Sequence, residues 1–142
     1  MTNLIAMLAV VIMQIESGGH PDPANALGDY NPATGKHRAI GAFQMWDVST
    51  VEANRVEAIL ARRDGRQART WTSCERLCPI KSREMFEITM EWHYRRGVTD
   101  PVDLGSKWRN PYGKQSPRYR ELVRKGLENF SKNNSIIGLT KN

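Results

Sequence analysis

Histidine and cysteine are scarce in this chain, with 3 and 2 copies among 142 residues. The thiols, Cys74 and Cys78 in TSCERLCP, have no second pair and the histidines are scattered. That is not the ligand spacing of a zinc site, so no metal is expected. Two free or partly buried thiols are expected, with a local disulfide as the alternative. Long apolar runs are missing as well. The uncharged stretch from Leu4 to Met13 is well short of the roughly 20 residues that a spanning helix needs. It also lacks the basic flank and small-residue cleavage site of a secretory signal. It therefore reads as the first core helix, and the chain is expected to carry no export signal and to insert in no membrane. Repeats, low-complexity linkers and long alternating strands are absent too. These gaps exclude a disulfide scaffold, a solenoid and an all-β sandwich.

Acidic residues are in deficit, 15 against 21 basic, which leaves a net charge of +6 and a pI near 9.6. A polyanionic partner follows from that excess, whether nucleic acid, an anionic membrane surface or the bacterial wall. Hydrophobic residues at 39% and charged residues at 25% are ordinary for a globular protein. The length fits one domain.

The chain then divides by its punctuation. Helix-forming residues run from Thr2 or Asn3 to Glu16 and stop at Ser17-Gly18-Gly19. The stretch from His20 to Ile40 is rich in proline and glycine, which predicts an ordered loop or a short hairpin. A helix is expected over 47–62, with Val48, Val51, Val56, Ile59 and Leu60 forming its apolar face. The basic ARRDGRQART reads as a solvated loop holding Arg62, Arg63, Arg66 and Arg69. Ser82 is a plausible N-cap for a helix over 83–96, with His93 on its face. Pro101 to Trp108 suits a short helix, and Ser116-Pro117 opens a last one to about Phe130. Residues 131–142 read as a flexible tail. The sum is a mainly α-helical domain over 1–130 with a loop-rich lobe.

One stretch raises a chemical question. In QIESGGH, Glu16 ends an otherwise uncharged helix against a glycine pair. Burial against apolar neighbours is the usual way to keep a carboxylic acid protonated near neutral pH, and glycosidic bond cleavage needs such an acid. A helix C-terminus also disfavours added negative charge. Some twenty residues on, the chain reads AIGAFQM.

Glu16-Ser17-Gly18-Gly19 after an apolar helix, then Gly41-Ala42-Phe43-Gln44, resembles the lysozyme-like superfamily, and within it the soluble lytic transglycosylases and related phage lysins. Trp108-Arg109-Asn110-Pro111-Tyr112-Gly113, with Tyr119 after it, is similar to that family's aromatic-Asn-x-Gly turn. The resemblance covers about residues 3 to 130. It implies a lysozyme-like fold in which a short hairpin lobe flanks a saccharide cleft. Cleavage would fall on the β-1,4 bond between N-acetylmuramic acid and N-acetylglucosamine in peptidoglycan. Glu16 would be the general acid and base, with Ser17 orienting it. Gly41, Phe43 and Gln44 would contact the sugars, joined by Tyr30, Asn110, Tyr112 and Tyr119. Asp29, in Gly28-Asp29-Tyr30, would be either a second catalytic carboxylate or a turn cap. A single carboxylate suffices for a transglycosylase, whose sugar 6-hydroxyl attacks and leaves an anhydro product, whereas two allow water to attack. No cofactor is implied. The expected partner is the peptidoglycan glycan strand, met by a monomer of phage or prophage origin. It would be made in the host cytoplasm and released by a holin as an endolysin, or carried in the virion.

Two rivals stand beside this reading. One is a non-catalytic wall-binding or virion structural protein of the same fold. The other is a DNA-binding domain using Arg118, Arg120, Arg124 and Lys125 of the last helix, though no helix-turn-helix signature accompanies them and no nucleic acid is expected.

Overall fold

The computed structural model describes residues 3–18 and 20–140. Among them are five α-helices: α1 (Asn3–Ser17), α2 (Asp47–Asp64), α3 (Pro79–Arg95), α4 (Pro101–Ser106) and α5 (Pro117–Thr140). A two-residue antiparallel hairpin, β1 (Tyr30–Asn31) and β2 (Lys36–His37), lies between α1 and α2, with Tyr30 opposite His37. The chain is mainly helical with a small hairpin lobe.

Helix α1 is buried because its apolar residues leave no polar stripe to face water. Ile5, Leu8, Ala9, Val11 and Ile12 are all fully enclosed, between α3, α4 and α5. Phe43 and Phe86 stack at 4.9 Å beside them, and Trp108 meets Phe86 edge-on at the same distance. This aromatic group fastens the loop after the hairpin to α3 and to the end of α4.

The apolar face expected of α2 is buried in part: Val56 and Leu60 are enclosed and Ile59 packs against the core. Val48 and Val51 are about two-thirds exposed, while Thr50, Ala53, Val56, Glu57, Leu60 and Ala61 face inward. Glu57 shares that inward face, and its fully buried carboxylate receives Arg66 and Arg69. The Nη1 of Arg66 lies 2.5 Å away, and the backbone N–H of Arg69 lies at 3.0 Å. Burial alone would raise the Glu57 pKa, but the bonds from Arg66 and Arg69 outweigh it and bring it down to about 2. The basic stretch after α2 is therefore not a free loop. It folds back along α2, next pinned where Asn54 and Trp71 exchange backbone and side-chain bonds at 2.8 and 2.9 Å. It is pinned a third time where Arg76 reaches Asp47 at 3.2 Å. That return sets α3 running the same way as α2, and Arg95 meets Asp64 at their far ends.

Helix α3 begins at Pro79, not at Arg83. Cys78 is its extended N-cap residue and the proline takes the first helical position, where its missing N–H costs nothing. Ser82 is buried inside the first turn and donates to the Pro79 carbonyl. Helix α5 runs past Phe130 to Thr140, and no glycine or proline lies between Phe130 and Gly138. The last two residues of the expected tail lie outside the described residues. Cys74 is an exposed free thiol and Cys78 a half-buried one. No described helix is long and apolar enough to cross a membrane.

Candidate functional site

Glu16 sits in the last turn of α1 with its side chain 5% exposed. The phenolic O–H of Tyr119, from the first turn of α5, donates to Oε1 at 2.8 Å. Arg109 donates through Nε to Oε1 at 3.2 Å and through Nη2 to Oε2 at 3.3 Å. Its guanidinium also lies 4.8 Å over the Tyr119 ring. Burial, then the charge of Glu16 and its hydrogen bond, hold the Tyr119 hydroxyl far above its ordinary pKa. That hydroxyl stays a donor at any workable pH. Of the two partners Tyr119 is buried and fixed, whereas the Arg109 side chain is 58% exposed.

The carboxyl opens on a cleft of about 440 Å³. Trp46, Val48, Ser49 and Glu52 line it from the start of α2 and the residue before it. Lys107, Trp108, Arg109, Pro111 and Tyr112 line it from the segment after α4. Gln44 and Thr89 complete it. Trp46 is 46% exposed and Tyr112 62%, so aromatic faces are open to a ligand.

Gln44 owes its place to an unusual backbone. Its φ is +49°, a left-handed value rare for a residue with a side chain. The chain is held there by Ile40 and Met45, which exchange N–H···O bonds at 3.0 and 3.1 Å. The Gln44 amide nitrogen donates to the carbonyls of Gly41 and Ala26 at 3.0 and 3.2 Å. Gln44 thus holds the loop as well as lining the cleft. Phe43 is core, and its carbonyl accepts the indole N–H of Trp108 at 3.0 Å. Gly41 lines no part of the cleft, but its φ of +83° brings the backbone against Arg76.

Other expected residues lie elsewhere. Asp29 pairs with Arg38 at 2.9 Å, half-exposed on the hairpin lobe and not among the cleft residues. Ser17 donates back to the Met13 carbonyl at 2.5 Å instead of orienting Glu16. Tyr30 leans on His37 at 5.2 Å, outside the cleft lining. Asn110 folds its own turn, donating to the Lys114 carbonyl at 2.6 Å. Tyr112 is in the cleft and Tyr119 is behind it, holding Glu16.

Glu52 was not anticipated. It is the second carboxylate of the cleft. Arg55 donates to it through Nε and Nη2 at 2.9 and 2.7 Å, and the Tyr112 hydroxyl donates to it as well. The Arg55 bonds lower its pKa against an opposing burial effect, and Tyr112 adds to the lowering. A trace of this was visible in Val48 and Glu52, four apart on one face of α2. Among the described residues no group of three His, Cys, Asp or Glu could hold a metal ion. No protein-family model, no curated protein and no solved structure matches this chain.

His93, buried behind Tyr112 at 5.7 Å between ring centres, has its pKa lowered to about 4. Burial is the main cause, and the charge of Lys107 adds to it. The unfolded chain binds a proton there near 6.5 and the folded one only near 4. Stability is therefore full above pH 6.5 and declines as pH falls through that window, by up to about 3 kcal/mol. Glu57 acts only lower, between 4.5 and about 2. Urea unfolding at pH 7 and pH 4.5 checks this, and His93→Gln is expected to remove most of the difference. An equal loss in both proteins would refute it.

Proposed function

We propose that this protein cleaves the β-1,4 bond between N-acetylmuramic acid and N-acetylglucosamine in peptidoglycan, within a lysozyme-like fold. The observation that carries the reading is the enclosed carboxyl of Glu16 facing an open cleft lined by Trp46, Trp108 and Tyr112. A mainly helical domain with a small hairpin lobe beside the cleft agrees with it.

Glu16 donates a proton to the glycosidic oxygen and then takes one from the attacking hydroxyl. Arg109 is the exposed partner, so it is the one that turns aside when the sugar enters. Tyr119 keeps the carboxyl oriented throughout. Glu52, ionised beside Arg55, is the carboxylate available to stabilise positive charge on the sugar or to direct a water. Asp29 serves the hairpin lobe. The proposed setting is a phage or prophage product acting as a monomer on the wall outside the cytoplasm, as an endolysin or from the virion.

A non-catalytic wall-binding protein of the same fold is the second reading. It is favoured by one feature, that both Glu16 oxygens are already occupied by protein donors. Mass spectrometry of muropeptides released from purified peptidoglycan separates the two. Anhydro-muramic products from the wild type alone, and none from Glu16→Gln, mark a transglycosylase. Reducing-end muramic products mark a hydrolase and turn attention to Glu52. No product from either protein would leave only the binding reading.

A further inference from the structure

Three guanidinium groups converge on one indole at the Tyr112 end of the cleft. Arg55, Arg63 and Arg96 lie 5.2, 5.7 and 5.1 Å from the ring centre of Trp92. The indole is 6% exposed and all three arginines are exposed. Like charges gathered this closely repel unless anions answer them. Only Arg55 is answered, by Glu52. Neither Arg63 nor Arg96 makes an ion pair or a side-chain hydrogen bond with any described residue. The nearby acids are engaged elsewhere, since both Asp64 and Glu91 pair with Arg95. The surroundings of His93 agree: after burial, the main influence on it, the nearby charges are mostly cations. The cations Lys107, Arg96 and Arg55 all work against a charge on His93, and Glu52 alone opposes them.

Position ties this cluster to the cleft. Arg55 donates to the Tyr112 hydroxyl at 2.8 Å, and Tyr112 and Glu52 both line the cleft. An anionic group branching from a strand in the cleft would meet the arginines just past Tyr112. Arg63 and Arg96 lie over the ring with their edge N–H groups unengaged by any described residue, and such a fork matches a carboxylate.

We propose that Arg63 and Arg96, packed beside the Glu52-paired Arg55 on Trp92, form a carboxylate-binding site for the peptide stems borne by muramoyl residues, so that peptide-bearing strands are the substrate and naked glycan is not. This rests on the peptidoglycan reading and adds the substrate class to it.

The test compares peptide-bearing glycan strands with strands stripped by a muramoyl-alanine amidase, using the wild type, Arg63→Gln/Arg96→Gln and Arg63→Lys/Arg96→Lys. Melting temperatures confirm that each protein is folded. The wild type is expected to cleave peptide-bearing strands about tenfold more efficiently, for two charge-assisted contacts at an exposed site. In the glutamine variant that ratio falls to within about twofold of one, mainly through KM, and the lysine variant restores part of it. A glutamine variant that slows on both substrates alike, with the ratio intact, assigns the arginines to packing and overturns the proposal. So does a wild type that treats both strands equally. If the wild type cuts neither, the cleavage reading fails by itself, and the same ratio is read from binding constants. Tight duplex-DNA binding by the wild type, lost in the glutamine variant, would give the cluster to nucleic acid and also overturn the proposal.

Discussion

Glu16→Gln is expected to lower the cleavage rate by about 10²–10⁴-fold, the range a positioned general acid contributes. The amide matches the carboxyl in size but has no acidic proton to give and cannot take one back. The fold should not suffer. The Tyr119 hydroxyl can still donate to the amide oxygen, and the Arg109 contact that is lost is 58% exposed on the arginine side. Such a pair is worth at most about 1 kcal/mol. The melting temperature should therefore stay close to that of the wild type while muropeptide release nearly stops. Retained turnover in a folded Glu16→Gln protein would take the chemistry away from this carboxyl altogether. Loss of turnover together with loss of folding would be uninformative for Gln, so Tyr119→Phe serves as the companion. It removes the 2.8 Å bond to Glu16 without removing the acid, and its effect should be smaller, in kcat more than in KM.

The second large effect is structural. Gly41→Ala is expected to destabilise the protein by about 3–5 kcal/mol, combining a left-handed conformation with a backbone clash. At φ +83° a Cβ would stand 2.1 Å from the carbonyl oxygen of Arg76, and the obstacle is main chain that cannot rotate away. The Arg76 side chain is itself committed to the carbonyls of Met45 and Arg38, at 2.8 and 3.1 Å. The displaced loop is thus also the one that carries Gln44 into the cleft. That loss is a large part of the total stability of a typical domain. Gly65→Ala is the control. It has φ +67° but nothing within 4 Å of the added carbon, so only the conformational strain of about 1 kcal/mol remains. Thermal melts of both variants check the contrast. Equal shifts would mean that the contact with Arg76 yields easily.

What could be read from the sequence was what depends on near neighbours. The apolar stretch before Glu16 is α1, and Glu16 and Gln44 do share a cleft with Trp108 and Tyr112. The hairpin lobe follows from prolines and glycines. The unread parts depend on contacts far apart along the chain. Aromatic character and a place after a turn point to Tyr119 as a sugar platform. Only the docking of α5 on α1 turns its hydroxyl toward Glu16. Asp29 was attractive because it lies between two motifs, yet Arg38, nine residues on, claims it. Glu52 was passed over because its chemistry depends on Tyr112, sixty residues further along. Val48 and Val51 looked like core by periodicity. Val48 instead lines the cleft and Val51 faces outward, while the acid at Glu57, met by arginines from the return segment, lies on the buried face.

That same buried acid has a practical meaning for anyone wishing to modify the molecule. Residues 62–70 are all exposed at the surface and would be a natural place to insert a tag or a label. They are a poor choice. A graft between Arg66 and Arg69 would pull away the two cations that neutralise the enclosed Glu57 carboxylate, leaving an unpaired charge inside the helix pair. The turn at Gly97, between α3 and α4, carries no such duty. It has open space around it, and a graft placed after Gly97, clear of Arg96, would leave α2 and its return segment intact.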